Sequence, residues 1–253
     1  MQQAIELRCD GLTLRGMIHI PELGKSKYPF VAIYHGFTGN KMEPQFMFVR
    51  LSRELEKAGV GSVRFDFSGS GESDGLFEEM SVSNEIKEAK HIFKFMSELE
   101  YADKNNLFMV GLSMGGLVAS VAAPEVDRVK ALVLWAPAGN MAEIAEYASQ
   151  KNEYYVDEKG RIDIGGLWLG PHFLEDVKGI DVYGRAVHYK GDVLLVHGTA
   201  DATVPIQASY KYKETYGEKA QLIEIEGADH TFQRMDWKNE LIDTTIDFIA
   251  RHT

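Results

Sequence analysis

Short, largely apolar runs recur through this chain, and most are followed by a stretch with helical spacing. FVAIYHG begins after Pro29, VGSVRFDF occupies 60–67, and further runs cover 106–110, 129–135, 193–197 and 220–226. A run apolar on every residue suits a strand buried on both faces. Between these runs, apolar residues three and four apart predict helices over 46–58, 83–99, 114–123, 206–216 and 241–250. Ile86, Ala89, Ile92, Phe93 and Met96 form one such stripe. Strands alternating with helices give an α/β fold with a mostly parallel central sheet and helices on both faces. Ahead of that pattern, 4–9 and 13–20 alternate apolar and polar residues around Asp10-Gly11. This predicts an N-terminal antiparallel hairpin at one edge of the sheet. The 253 residues, 45% of them hydrophobic, suffice for one domain over 1–253 with a sizeable core.

One stretch breaks the rhythm. Between Pro137 and Tyr189 there is no clean strand–helix unit, but there are aromatics such as Trp168 and Phe173, glycines and mixed charge. A structureless loop of this length is uncommon in a compact domain, so about 140–189 is read as an inserted cap or lid.

The formal net charge of −11 argues against a nucleic-acid partner and against docking on an anionic membrane. No run reaches the ~18 apolar residues of a membrane span. The start, MQQAIELRCDG, lacks a basic segment followed by an apolar run, so no secretory signal is expected and a cytoplasmic location is. The single cysteine, Cys9, excludes an intrachain disulfide and a cysteine metal cluster. No His, Cys or carboxylate grouping has metal-ligand spacing, and neither a metal nor another cofactor is expected. The Gly-rich RFDFSGSGES (64–73) has neither a following Lys-Ser/Thr nor G-x-G-x-x-G spacing, so it reads as a turn rather than a phosphate loop.

The chemistry concentrates at Gly111-Leu112-Ser113-Met114-Gly115, which has the form G-x-S-x-G. It follows the apolar LFMV and opens a small-residue helix, the strand–turn–helix setting of a nucleophile elbow. A serine hydroxyl is a weak nucleophile and needs a base, with an acid to orient that base. In such folds the chain order is serine, acid, histidine. Asp201, in HGTADATVP, and His230, in GADHTF, each lie just past a predicted strand and fill that order. Other candidates fit less well. His197 ends a strand and is read as packing or capping there, Asp229 would have to fold back onto its neighbour His230, and Asp192 precedes its strand. Two backbone N–H groups should meet the oxyanion. Met114, directly after the serine, supplies one, and Phe37, in the turn HGFTG after the first parallel strand, supplies the other.

In order, HGFTGN, RFDFSGSGESDGLFEEM, GLSMGG, HGTADATVP and IEGADHTF resemble the bacterial cinnamoyl (feruloyl) esterases of the α/β-hydrolase superfamily. The resemblance covers nearly the whole chain outside the insert. It implies the α/β-hydrolase fold, Ser113 as nucleophile, His230 as base, Asp201 as acid, and Phe37 and Met114 as oxyanion donors. It also implies that the insert roofs an acyl pocket. The implied activity is that of a serine carboxylesterase acting through an acyl-enzyme on hydroxycinnamoyl or short-acyl esters. Leu112 and Met114 stand where many of these esterases carry polar neighbours of the serine, which makes the expected pocket wall more apolar. Trp168, in GGLWLG, is a candidate to stack on an aromatic acyl group. Val204, close after Asp201, is expected to line the pocket. The expected partner is a small-molecule ester, and a homodimer stays open. Two related activities remain open, monoacylglycerol lipase-like and acyl-peptidase-like. A different class, a hydrolase homologue that binds a small molecule without turnover, is argued against by the intact serine, aspartate and histidine.

Overall fold

A computed structural model describes residues 1–150 and 154–253. Each apolar run forms a strand, and the strands join in one sheet of eight, ordered β1-β2-β4-β3-β5-β6-β9-β10. The strands are β1 (Gln2–Cys9), β2 (Leu12–His19), β3 (Tyr28–Tyr34), β4 (Gly61–Phe65), β5 (Ala102–Leu112), β6 (Val129–Trp135), β9 (Asp192–Gly198) and β10 (Ala220–Ile225). Pairing is parallel from β4 through β10, while β1–β2 and β2–β4 are antiparallel. The N-terminal hairpin therefore forms the edge that the alternation around Asp10-Gly11 predicts. Both turn residues have positive φ, 49° and 87°, as a two-residue hairpin turn requires.

Side-chain alternation distributes one strand between two cores. In β3, Phe30, Ala32 and Tyr34 join the core under α2 (Val82–Glu98) and α3 (Met114–Ala122), while Val31 and Ile33 face α1 (Met47–Lys57) and α8 (Met235–Arg251). On the second side Trp135 donates its indole N–H to Thr245 Oγ1 at 3.0 Å, so a bulky buried donor is satisfied. α8 begins six residues before the predicted 241, because its first turn is largely polar and carries no apolar stripe.

The chain leaves the sheet after β6 and returns in the adjacent strand, β9. Between them lie α4 (Met141–Gln150), β7 (Ile162–Ile164), β8 (Leu167–Leu169), α5 (Phe173–Lys178) and α6 (Val182–Ala186). The helix α7 (Gln207–Tyr216) follows β9. Gly165-Gly166, both at positive φ, turn β7 into β8. The sequence-assigned insert of 140–189 includes 151–153, which lie outside the described residues. Among the described residues, no helix is long and apolar enough to cross a membrane.

Candidate active site

The site forms where the C-terminal ends of parallel strands open, the place where ligands bind in open α/β sheets. β5 runs straight into α3 through Ser113, which adopts φ 56° and ψ −119°, a conformation that a residue with a Cβ holds only under strain. Packing imposes it. A Cβ on Gly111 would strike the Gly115 carbonyl, and one on Gly115 would strike the Tyr34 carbonyl. The two flanking glycines let strand, turn and helix approach this closely. The serine itself is anchored through its backbone. Its N–H donates to Trp135 O at 2.8 Å and its carbonyl accepts from Ala138 N at 3.0 Å.

His230 and Asp201 come from the loops after β10 and β9. His230 Nε2 lies 3.0 Å from Ser113 Oγ, and His230 Nδ1 lies 2.7 Å from Asp201 Oδ2. The Asp201 side chain is fully buried and that of His230 is 15% exposed. Asp201 Oδ1 accepts the N–H groups of Thr203 and Val204 at 2.8 and 2.9 Å. Burial alone would push the carboxyl up. Hydrogen bonds from His197 and His230 outweigh it and hold Asp201 well below the usual carboxylate range. Asp201 therefore remains an acceptor for Nδ1–H, which leaves Nε2 free to take a proton from Oγ. A hydroxyl, an imidazole and a buried carboxylate in this sequence of contacts can generate an oxygen nucleophile.

His197 is the group that sequence reading passed over. Its Nε2 lies 2.9 Å from Val204 O and 3.2 Å from Asp201 Oδ2, and its Nδ1 lies 2.7 Å from Ser209 Oγ. Facing two acceptors, Nε2 carries the proton and steadies the carboxylate at Oδ2, the same oxygen that His230 Nδ1 meets. The available signal was the four-residue separation from Asp201 across a turn. Asp229 instead shapes the His230 loop, accepting from Thr231 N and Gln233 N. Asp192 pairs with Lys219 and His252, far along the sheet.

Two N–H groups belong to the turns that meet at Ser113, where a Cβ on Gly36 would lie 3.2 Å from the serine Cβ. Met114 supplies the first N–H of α3, which has no intrahelical partner. Phe37 supplies the other, from the turn after β3, and it has no acceptor among the described residues. The Met114 side chain is fully buried in the core and does not reach the cavity, whereas Leu112 lines it. The expectation of an apolar wall from both residues thus applies to Leu112 alone.

Over Ser113 and His230 opens a cavity of about 770 Å³, lined mainly by apolar side chains. Phe37, Leu112 and Val204 come from the body of the fold, and Ile144, Ile162 and Leu169 from the segment between β6 and β9. Val204 is thus a lining residue, as its position after Asp201 suggests. Trp168 is not. In the β7–β8 hairpin Ile162 pairs with Leu169, and Asp163 pairs with Trp168. Because alternate residues face opposite sides, a hairpin that turns Ile162 and Leu169 to the cavity turns Trp168 away from it. The indole packs instead under the Arg161 guanidinium, 4.7 Å from its centroid, and 6.0 Å from the ring of Tyr155. The expectation that Trp168 stacks on an acyl group is corrected accordingly. Aromatic residues in the cavity lining are Phe37, stacked on Phe173 at 5.2 Å, together with Phe46 and Tyr154.

A model of the family described as serine aminopeptidase, S33 (Hydrolase_4) matches residues 28–154, half of the chain. The structure of Est1E from Butyrivibrio proteoclasticus with ferulic acid bound is 27% identical. It superposes with a TM-score of 0.86, over 98% of this chain and 99% of that one. The mitochondrial palmitoyl-protein thioesterase ABHD10 of Bos taurus is 26% identical over 244 residues, 90% of this chain and 75% of the relative. An Escherichia coli protein named "Uncharacterized 31.7 kDa protein in traX-finO intergenic region" is 29% identical over 116 residues. That match spans 45% of this chain but only 38% of the relative's length. With its eight-stranded sheet and the strand–serine–helix turn at its centre, the chain belongs to the serine aminopeptidase S33 family (Hydrolase_4) of the α/β-hydrolase superfamily.

Proposed function

We propose that the protein hydrolyses carboxylic esters through a covalent acyl-serine. The observation that carries this reading is the contact chain from Ser113 Oγ through His230 to the buried Asp201 carboxylate. Ser113 Oγ attacks the ester carbonyl carbon while His230 Nε2 takes the hydroxyl proton. The carbonyl oxygen becomes an oxyanion within reach of the Phe37 and Met114 N–H groups, whose hydrogen bonds strengthen as charge develops. As the tetrahedral intermediate collapses, the ester C–O bond breaks and the alcohol leaves with the proton from His230. A water molecule then repeats the sequence on the acyl-enzyme, releasing the acid and restoring Ser113.

For the acyl group we infer hydroxycinnamoyl or short acyl chains. The support is an apolar cavity with an aromatic pair at Phe37 and Phe173, and the likeness to Est1E, solved with ferulic acid bound. Residues 140–189 act in this reading as a cap that roofs the acyl pocket. Ser113→Ala is expected to reduce turnover of p-nitrophenyl butyrate by at least about a thousandfold. Full activity in that variant would overturn the assignment. The family description favours a second reading, cleavage of aminoacyl amides. A panel of methyl ferulate, p-nitrophenyl esters, monoglycerides and aminoacyl amides separates the two, and fast amide turnover with little ester cleavage supports the second.

A further inference from the structure

The turn that carries the Phe37 N–H is held by a buried acid, Glu43. Its Oε1 accepts the Gly36 N–H at 2.6 Å, and the side chain borders the cavity near Ser113. Burial pushes this carboxyl up to about 7, against the single backbone N–H that favours its charged form. Glu43 itself sits at φ 56°, in a segment where Thr38, Gln45 and Phe46 also have positive φ. Strain on four residues with Cβ atoms persists only where the surrounding contacts over-determine it.

The target of that contact explains its use. Gly36 has no Cβ, and the space for one is short, since a Cβ there would lie 3.2 Å from Ser113 Cβ. Glycine fits against the serine but leaves its own φ and ψ loose. The two peptide planes flanking Gly36 are each clamped. On the far side, the Gly36 carbonyl accepts from Gly39 N at 3.0 Å and lies 2.9 Å from His35 Nδ1. His35 Nε2 accepts the Phe67 N–H at 3.0 Å, so Nδ1 carries the proton and donates to that carbonyl. On the near side, among the described residues, Glu43 is what holds the Gly36 N–H. The Phe37 N–H belongs to the peptide that follows Gly36, so its aim depends on both clamps.

We propose that Glu43 is a positioning residue, fixing the Gly36 peptide so that the Phe37 N–H meets the oxyanion. This inference rests on the acyl-serine reading. Glu43→Ala is expected to lower kcat for p-nitrophenyl butyrate about ten- to a hundredfold, short of losing an oxyanion donor outright, with KM little changed. Glu43→Gln, whose side-chain carbonyl can accept the same N–H, is expected to restore kcat to within a few-fold of the parent. Glu43→Asp, too short to reach, is expected to fall with alanine and serves if the alanine variant does not fold. A fluorophosphonate, whose P=O enters the same turn, reads Ser113 without reference to the natural ester. Parent protein that the probe does not label overturns the acyl-serine reading. Labelling that is equally fast in parent, alanine and aspartate variants overturns the role of Glu43 alone. So does a glutamine variant as slow as alanine.

Discussion

Asp201 accepts hydrogen bonds from two histidines, and the second of them sets what a single substitution would do. His197 is fully buried between Asp201, Val204 and Ser209, so its removal leaves the carboxylate with one imidazole instead of two. A hydrogen bond to a charged group contributes about 1.5–3 kcal/mol, and part of that restrains the His230 tautomer and ring plane. His197→Ala is expected to lower kcat roughly tenfold with KM unchanged. Unaltered kcat would mean that His230 and the Thr203 and Val204 N–H groups suffice. The depressed Asp201 also has a defined effect on stability. Its ordinary value is 3.8, so its stabilising contribution is present above that pH and is lost as pH falls through the lower folded value. Acid unfolding, not the working range, is where this carboxylate matters to the fold.

Among the helices, α2 has an inward face that is not wholly apolar. Glu85 is buried there, its Oε2 has no hydrogen-bond partner among the described residues, and Glu88 and Asp176 bear on it. Desolvation comes first, and the two neighbouring acids add to it, so the Glu85 carboxyl is raised well above its ordinary 4.5. Asp176 belongs to α5 and accepts the Ser83 N–H at 3.1 Å, so this acid contact lies where α5 meets α2. The folded chain keeps a proton on Glu85 that the unfolded chain releases above 4.5. Stability from this group is therefore complete below that pH and declines as pH rises toward the folded value. Glu85→Gln is expected to be more stable than the parent at pH 8, by about 1–3 kcal/mol, with the margin shrinking toward pH 5. Urea unfolding at the two pH values checks it, and a margin independent of pH would contradict the account.

Across the whole molecule, the segment between β6 and β9 is joined to the body by buried apolar residues such as Phe173 and Val182 and by polar contacts beside them. Arg161 pairs with Glu78, which follows Phe77 in the short helical turn Phe77–Glu79, and with Asp157 within the segment. Gly170 packs so closely that a Cβ would strike the Glu78 carbonyl, and His172 Nε2 lies 3.1 Å from Met80 O. The cavity wall built by Ile162 and Leu169 thus borders a docking surface of mixed polarity, with Arg161 and Glu78 at its polar part. Loosening it should change how substrate is held more than how the serine reacts. Arg161→Ala is expected to raise KM several-fold for an ester with a bulky acyl group, with kcat and the melting temperature of the chain little altered. Equal KM values in parent and variant would show that the salt bridge does not set the wall.

Local pattern determined the elements and their order of chemistry. Apolar runs became β3, β4, β5, β6 and β9 because burial on both faces demands apolar side chains, while β10, at the sheet edge, keeps exposed Gln221 and Glu224 among its apolar residues. Ser113, Asp201 and His230 were legible because each sits at a strand end in a fixed chain order. The sheet order, the clamp of Glu43 on Gly36 and the second histidine on Asp201 were not, since each depends on which loops meet in space. Trp168 marks the boundary most plainly. Its sequence says only that a large aromatic lies in the insert, while a two-residue turn and a period of two decide which face it occupies. Ser113 itself needed both levels. The glycines around it announce a tight turn, but only tertiary packing against the Tyr34 carbonyl and the His230 loop holds its backbone at positive φ with Oγ on the imidazole.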